Sequence, residues 1–240
     1  MAQLSNYPSS NRLLAALSDS DRELLDPHLD TVETPVKFEV ENPNEPIEHV
    51  YFPESGIIST VNGGGNDQIE VGMTGREGMT GLPILLGSDR SPNRTYVQVA
   101  GHARRMAADG LRQAMEQSGS LHASLLNFVQ FFLIQTSQTA LANARFKIEE
   151  RLARWLLMAQ DRIDLPMMPL THEFLSIMLG VRRAGVTDAI HALVGRGMIR
   201  SDRGQIEVID REGLIEWADG CYGVPEREYE RLIGSARQNS

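Results

Sequence analysis

The sequence has few of the residues that carry cofactors or anchor a protein in a membrane. It contains one cysteine, Cys221, so no internal disulfide is possible and no cysteine set exists for an iron–sulfur cluster or a structural zinc ion. No apolar run approaches the roughly 18 residues that a membrane span needs. Residues 1–12 lack the basic start and apolar middle of a signal peptide. We therefore expect a cytoplasmic protein that does not contact a membrane.

Recognisable catalytic motifs are also missing. The chain has no G-x-S-x-G, no H-E-x-x-H, no P-loop and no dinucleotide-binding fingerprint. His172 and Glu173 are adjacent, but the second histidine of a zinc protease is absent. The glycines of NGGGND, residues 62–67, lack a phosphate-binding lysine and a following helix, so they indicate a hairpin tip. These absences predict that the protein is not an enzyme.

Charge is abundant, and its sign changes along the chain. The total of 23 Lys and Arg against 32 Asp and Glu gives a net charge of −9. Residues 1–146 hold 10 basic and 17 acidic side chains, whereas residues 147–211 hold 10 and 9. This break predicts a domain boundary near residue 146. The weakly positive segment after it is the part of the chain that could lie against a polyanion without strong repulsion.

The first half of the chain predicts a small β-domain. After two short helical patterns in NRLLAALSDSDRELLDPHL, short alternating segments run from about Val32 to Ala107 and are separated by Pro, Gly, Asn and Asp clusters. These segments are VKFEV, IEHVYFP, GIISTV, QIEVGM, YVQVA and HARRMA. Strands of this length and spacing are typical of a small barrel or jelly roll.

A long helix is predicted next, because residues 121–144 contain no Pro or Gly. Apolar and small polar residues recur there at alternating intervals of four and three, the pattern of a two-helix coiled coil. These are Leu121, Leu125, Phe128, Phe132, Gln135, Thr139 and Ala142. The polar end of the series favours a dimer interface; the alternative is a helix buried against its own domain.

The segment 148–211 follows the order of a winged helix-turn-helix. An amphipathic helix in IEERLARWLLMAQDR precedes a helix capped by Thr171, a turn at Gly180, a second helix to about Val194 and a hairpin with its turn at SDRG. Val181, Val186, Ile190 and Leu193 are spaced to face the core. Beyond Arg211, two short helices joined by a turn should pack on this domain, with Cys221 as a small buried hydrophobe or, alternatively, a redox site.

Two arginines begin the second helix of this motif. Side chains in the first turn of a helix in the major groove can read bases, so Arg182 and Arg183 are candidates for guanine and phosphate contacts. Thr187 and Asp188 lie one turn further along the same face, and Arg203 in the hairpin turn is a candidate backbone contact. The alternative is that the two arginines are only solvated at the end of the helix and contact no DNA. Helix-dipole electrostatics slightly disfavour cations at this position, which makes a polyanionic partner the better explanation.

LTHEFLSIMLGVRRAGVTDAIHALVGRGMI resembles the helix-turn-helix of the Crp/Fnr superfamily of bacterial transcription regulators. The segments EPIEHVYFPESGIIST, GREGMTGLPILLGSDRSPNRTYVQV and ERLARWLLMAQDR resemble other parts of that family in the expected order. The resemblance implies an α+β fold of three parts. These are a β-roll (jelly-roll) sensory domain of the cyclic-nucleotide-binding type in residues 1–118, a dimerisation helix and hinge in 119–146, and a winged helix-turn-helix in 147–240.

The resemblance also implies residue roles. Arg183 falls at a base-reading position, and other recognition-helix contact positions are occupied by Arg182, Gly185, Asp188 and His191. Thr171 and His172 match the start of the preceding helix, which touches phosphate. Ala184 and Asp188 depart from the residues of the cyclic-AMP-responsive members, so a different operator sequence is expected.

The nucleotide pocket departs further from the family pattern. Arg94, Thr95, Thr136 and Ser137 match pocket positions, but Met79 replaces the glutamate that takes the ribose hydroxyl. An unpartnered buried hydroxyl costs on the order of 1–3 kcal/mol. We therefore expect an unknown effector other than cyclic AMP, or none. No cofactor is identified from the sequence. Haem as an effector is the alternative that the sequence leaves open, because four histidines that could bind its iron lie in the first half of the chain: His28, His49, His102 and His122.

The function predicted from the sequence is thus a regulator that binds a palindromic operator in double-stranded DNA as a homodimer. The family resemblance adds RNA polymerase as a partner. The alternative is a ligand-sensing or partner-binding dimer that no longer binds DNA, which Asp188 and the negative total charge favour.

Overall fold

A computed structural model describes residues 9–64, 68–163 and 165–234 of the chain. Residues 65–67 of the predicted hairpin tip, and the ends of the predicted first and last domains, lie outside the described residues. Two short helices come first, α1 (Arg12–Ala16) and α2 (Asp19–Leu25). The Asn11 side chain caps α1, because its Oδ1 accepts from the Leu14 amide at 3.0 Å, and its Nδ2 donates to the carbonyls of Pro53 and Gly78. The buried Asn11 side chain thereby fixes α1 on the β-domain.

In the part of the chain that the structure describes, seven antiparallel strands form two sheets in this half, and the alternating segments predicted six of them, β2 to β7. The first sheet has the order β1–β7–β3, and the second has the order β2–β6–β4–β5. The strand bounds are β1 (Asp30–Thr34), β2 (Glu39–Glu41), β3 (His49–Pro53), β4 (Ile57–Asn62), β5 (Ile69–Thr74), β6 (Arg94–Val99) and β7 (Gly101–Ala107). A short helix, α3 (Leu82–Leu85), lies between β5 and β6. The mixed fold predicted for this half of the chain, a β-roll followed by helices, is confirmed.

Helix α4 (Ala108–Gln117) leads into the long helix α5 (Gly119–Arg145). The prediction that the series beginning at Leu121 forms the seam between two chains is wrong. Five of its seven members are buried within their own chain: Leu121, Leu125, Phe128, Gln135 and Ala142. Phe128 packs against Gly78, and the side-chain Oε1 of Gln135 accepts from the Met73 backbone amide at 2.8 Å. The helix buries this face against the β-domain, as the alternative interpretation required.

The opposite face of α5 is exposed and carries its own apolar series. Leu126, Leu133 and Leu141 are 38%, 55% and 45% exposed. Spacings of seven and eight residues place these leucines along one side of a helix. The helix thus has two long apolar faces, and only one of them is covered by its own chain.

The C-terminal half contains the predicted winged helix-turn-helix. After α6 (Ile148–Gln160), helices α7 (His172–Leu179) and α8 (Arg183–Gly195) are followed by a hairpin. The strands β9 (Ile199–Asp202) and β10 (Gln205–Val208) form this hairpin, and a short strand β8 (Met168–Pro169) pairs with β10. Helix α9 (Arg211–Trp217) packs on α6. Cys221 is 3% exposed in the apolar core of this domain, as expected for a small hydrophobe.

The last helix, α10 (Val224–Leu232), does not pack on the winged helix as predicted. It lies along α5, and its Tyr229 and the following Ile233 join the same apolar core as Leu13 of α1. Tyr229 makes an edge-to-face contact with Phe131 at 5.0 Å and donates its hydroxyl hydrogen to the Glu77 carbonyl at 2.8 Å. The prediction failed because an amphipathic pattern shows that a helix has a buried face but not which surface covers it.

Candidate nucleic-acid interface

The turn between α7 and α8 is fixed by local hydrogen bonds. Thr171 caps α7 by accepting from the Phe174 amide at 3.2 Å. Gly180 ends that helix at φ +59°, where its amide donates to Ile177 and the Val181 amide donates to Ser176. A residue with a side chain disfavours this left-handed conformation. These contacts set the direction in which α8 leaves the turn.

Arg182 and Arg183 stand at the start of α8 as predicted. Arg182 is the residue that caps the helix, and its side chain makes no capping hydrogen bond. Both side chains are exposed, and neither forms a hydrogen bond or ion pair with any residue that the structure describes. The first turn of α8 holds no acidic residue. Two guanidinium groups therefore stand uncompensated at the positive end of a helix dipole, an arrangement that favours an anionic partner.

The rest of α8 divides into a core face and a solvent face. The predicted core residues Val186, Ile190 and Leu193 are buried, and Val181 packs partly against the same core. The solvent face carries Arg183, Ala184, Asp188, His191 and Val194. Arg183 therefore shares an exposed surface with Asp188 and His191, two of the other predicted contact residues.

Gly185 does not share that surface. A methyl group added at Gly185 would lie 3.1 Å from the Ile148 side chain, so the glycine faces α6. Its lack of a side chain allows the close approach of α6 and α8. The structure thus supports a packing role for Gly185, in contrast to the direct contact predicted from the family resemblance.

His172 and Thr187 connect the two helices of the motif. Thr187 Oγ1 lies 2.9 Å from His172 Nδ1 and donates to the Arg183 carbonyl at 3.1 Å. Both side chains are half-buried. These two predicted contact residues therefore hold the start of α7 against α8 and set the position of Arg183.

The predicted wing residue Arg203 lies at the tip of the β9–β10 hairpin. It is exposed and adopts φ +45°, a left-handed conformation that costs a non-glycine residue roughly 1 kcal/mol. Across the same hairpin, Arg200 Nη1 pairs with Glu207 at 2.7 Å. Arg203 therefore projects from a hairpin whose two strands are tied together.

Three of the four predicted pocket residues have partners within their own chain. Arg94 forms an ion pair with Glu39 and stacks over the Tyr96 ring at 4.8 Å. The hydroxyls of Thr136 and Ser137 donate to carbonyls of their own helix at 3.0 and 2.8 Å. Each of these three polar groups is thus engaged with a neighbour in its own chain.

A carboxylate occupies the acceptor position beside the fourth predicted pocket residue, Thr95. Glu41 is 8% exposed and accepts from the Thr95 hydroxyl at 3.1 Å and from the Gly81 amide at 2.7 Å. Burial raises the pKa of Glu41, although both hydrogen bonds act in the opposite direction. Met79 is fully buried in the apolar core. An internal carboxylate thus already accepts from the two donors, the Thr95 hydroxyl and the Gly81 amide, that a ligand phosphate at this position would need.

A second acidic residue that the sequence did not single out, Glu70 of β5, links the two halves of the molecule. Its carboxylate is 5% exposed and accepts from Trp155 Nε1 at 2.8 Å and from the Ser59 hydroxyl at 2.6 Å. Burial raises the pKa of Glu70 to about 7, against the opposing effect of these hydrogen bonds. Glu70 joins the β-domain to α6, the helix that supports α8.

Apolar contacts continue this junction to the helix-turn-helix. Trp155 meets Phe174 edge to face at 5.3 Å, and a methyl group added at Gly180 would lie 2.5 Å from Ile69 of β5. The buried ion pair Arg162–Glu77, at 2.8 Å, ties the end of α6 to the β5–α3 turn. The helix-turn-helix is thus docked on the β-domain through its own turn.

The described residues contain neither a membrane-spanning helix nor a metal-binding cluster. No helix among them, including the 27-residue α5, combines the length and hydropathy of a membrane span. They also contain no group of three or more His, Cys, Asp or Glu side chains arranged to hold a metal ion.

Comparison with known proteins identifies the C-terminal motif. Residues 150–217 match the Crp-like helix-turn-helix domain. A comparison with the sequences of curated proteins gives no match.

Solved structures of similar fold cover most of the chain. FixK2 from Bradyrhizobium japonicum is 18% identical with a TM-score of 0.69, covering 79% of this chain and 96% of its own. A putative Crp/Fnr-family transcriptional regulator from Eubacterium rectale is 16% identical with a TM-score of 0.67, covering 87% and 98%. The global regulator CLP from Xanthomonas campestris, described as responsive to c-di-GMP, is 16% identical with a TM-score of 0.62, covering 80% and 99%. The chain thus has the fold of Crp/Fnr regulators and carries their type of DNA-binding domain.

Proposed function

We propose that this chain, a regulator of the Crp/Fnr type by its fold and by its helix-turn-helix domain, binds a palindromic operator as a homodimer and regulates transcription. The observation that carries the proposal is the pair of exposed, unpartnered guanidinium groups of Arg182 and Arg183 at the start of α8. Inserted into the major groove, one guanidinium spans O6 and N7 of a guanine while the other neutralises a phosphate.

The dimer interface in this proposal is the exposed face of α5. Leu126, Leu133 and Leu141 recur there along one side of the helix. Pairing this face with the same face of a second chain buries the three leucines in a two-helix seam with two-fold symmetry. The two α8 helices then enter successive major grooves about 34 Å apart.

The effector in this proposal is not cyclic AMP. Support comes from Met79 at the position of the ribose-binding glutamate and from Glu41, which already accepts from Thr95 and the Gly81 amide. A ligand phosphate placed there would meet a carboxylate, and like charges at contact distance repel. Regulation therefore acts through another ligand or another site.

The signal reaches DNA through the interdomain junction. The connection between α5 and α6, residues 146–147, is short, and α6 packs directly on α8. A change in the contacts of Glu70 or Gly180 with the opposite half would move α6 and with it Arg183. RNA polymerase in the cytoplasm is the further partner that regulation of transcription implies.

Selection of bound duplexes from random DNA at fixed salt tests the proposal. The expected result is a palindromic consensus with half-sites one helical turn apart and no change of the bound fraction on addition of cyclic AMP. A steep dependence on salt is also expected, because each phosphate contact adds about 0.9 to the log–log slope. Absence of any preferred sequence would leave the partner-binding dimer as the better interpretation, and a cyclic-AMP requirement would contradict the assignment of the effector.

A further inference from the structure

A cavity of about 580 Å³ lies where the two halves of the molecule and α10 meet. Arg12, Arg76 and Glu77 of the N-terminal half line one side, and residues 160–162 at the end of α6, with Arg211 of α9, line the other. Phe131 and Tyr229, both 3% exposed, form an apolar wall. The volume is within the usual range of small-molecule sites. The cavity is distinct from the nucleotide position that the resemblance predicts, because none of the residues of that position lines it: Arg94, Thr95, Thr136 and Ser137.

Five arginines and four carboxylates line this cavity: Arg12, Arg76, Arg162, Arg211 and Arg227, with Glu77, Asp161, Glu226 and Glu230. All four carboxylates already accept hydrogen bonds from the protein. Asp161 accepts from Arg211 at 2.7 Å and from the Tyr222 hydroxyl at 2.6 Å. Glu226 accepts from the Gly223 amide at 2.9 Å, and Glu230 pairs with Arg12.

Two of the guanidinium groups, those of Arg227 and Arg211, retain donor capacity in contrast. Each carries five N–H donors and accepts nothing. The Arg227 side chain is exposed at the cavity wall, and its guanidinium forms no hydrogen bond or ion pair with any described residue. Arg211 lines the cavity and donates from Nη1 to Gln160 and from Nη2 to Asp161 and Tyr222, so Nε and one Nη1 hydrogen have no acceptor among these bonds. A ligand that brings acceptor oxygens would satisfy these donors.

From this arrangement we infer that the cavity is an effector site for a small organic anion, whose carboxylate or phosphate groups are bound by Arg227 and Arg211. The inference rests on the proposed function and names the ligand class and the place of its regulation.

The position of the cavity explains how such a ligand would act on DNA binding. Arg227 belongs to α10, which is packed on the N-terminal half, whereas Arg211 belongs to α9, which is packed on α6. An anion held by both arginines connects the two halves across the gap between them. Because α6 supports α8, the ligand stabilises one orientation of Arg183 relative to the β-domain and thereby changes DNA affinity.

Isothermal titration calorimetry on the full-length protein tests the site with two probes, citrate and pyrophosphate, at constant ionic strength. At least one probe is expected to bind with a Kd below about 1 mM, and the stronger of the two identifies carboxylate or phosphate as the preferred group. Arg227→Gln should weaken that binding about tenfold, since one charge-assisted contact is lost. Arg231→Gln, the same change one turn later on α10 and outside the cavity, is the matched control and should change Kd less than twofold.

Three results would overturn the inference. The first is failure of both anions to bind at 10 mM, and the second is equal weakening by Arg227→Gln and Arg231→Gln, which would indicate general attraction to a basic surface. The third is binding of the anion with no change in the Kd for the selected operator, which would remove the regulatory role. A protein that binds the anion but no duplex would contradict the proposed function alone, whereas one that binds its operator but neither anion would contradict this inference alone.

Discussion

Arg182 and Arg183 are adjacent in sequence, yet their removal should affect DNA binding in different ways. Arg183 lies on the solvent face of α8, so Arg183→Ala should cost about 1–3 kcal/mol of specific binding and relax selectivity at one base position. Arg182 precedes the first turn and suits a phosphate, so Arg182→Ala should weaken binding to all duplexes alike and lower the salt slope by about 0.9. Binding measured on the selected operator, its single-base variants and random duplexes separates the two effects. Unchanged selectivity in Arg183→Ala would contradict the base-reading role.

Glu70 should make the docking of the two halves depend on pH. Because burial raises its pKa to about 7, above the value in an unfolded chain, the folded state holds a proton that the unfolded state has lost. The stabilisation is fully present below the unfolded pKa and is lost as pH rises toward 7. We expect the free energy of unfolding to fall by about 1–3 kcal/mol between pH 5 and 8 from this group.

Glu70→Gln is the matched test of that dependence. Glutamine keeps the acceptor oxygen for Trp155 and does not titrate, so the variant should lose this part of the pH slope. Chemical unfolding of both proteins at several pH values measures it. Equal slopes in the wild type and the variant would show that Glu70 stays ionised in the folded protein.

At the scale of elements, α5 has two apolar faces that should respond differently to substitution. Leu133→Glu places a charge on the exposed face, where the proposed dimer has its seam, and should convert the dimer to a monomer with little effect on the folding of each chain. Asn143→Glu, at an exposed position outside the leucine series, is the control and should leave the dimer intact. Phe128→Ala on the buried face should cost about 3–5 kcal/mol of stability. Sedimentation and thermal unfolding check the three variants, and a Leu133→Glu protein that stays dimeric would exclude this seam.

The elements also show how far the sequence could predict the fold. The strands β3 to β7 and the helices α5 to α8 follow from periodicity, caps and turn residues, since each has a clear pattern. The edge strand β1 was not separately predicted because its residues, DTVET, are mostly exposed and polar. The covered face of α5 was assigned to the wrong partner because a heptad series fits a second helix or a sheet equally well.

The residues of the candidate site also differ in how far the sequence could predict them. Arg182 and Arg183 could be predicted because their place at the start of a helix is a local property. Gly185 was assigned a contact that the packing of Ile148 against it does not support. Glu41 and Glu70 gave no signal, because their roles depend on Thr95 and Trp155, which lie far from them in sequence.

At the scale of the whole molecule, the two halves should unfold together. They are joined by the Arg162–Glu77 ion pair, by Trp155 against Glu70, and by α10, whose Tyr229 is buried against Phe131. We expect a single calorimetric transition for the wild type. Tyr229→Ala removes one of these connections and should separate the transition into two, whereas Tyr229→Phe should cost only about 1 kcal/mol, the value of one hydrogen bond. Two transitions in the wild type would mean that the junction contributes little.

The return of α10 to the first half has a consequence for synthesis. Leu13 and Tyr229 belong to one core, and Arg12 pairs with Glu230 although 218 residues separate them. While a ribosome is still making the winged helix, the earlier β-domain therefore shows an uncovered apolar groove along α5. Nascent chains that stall within this interval should be the ones that chaperones retain, and release should coincide with the emergence of residue 233.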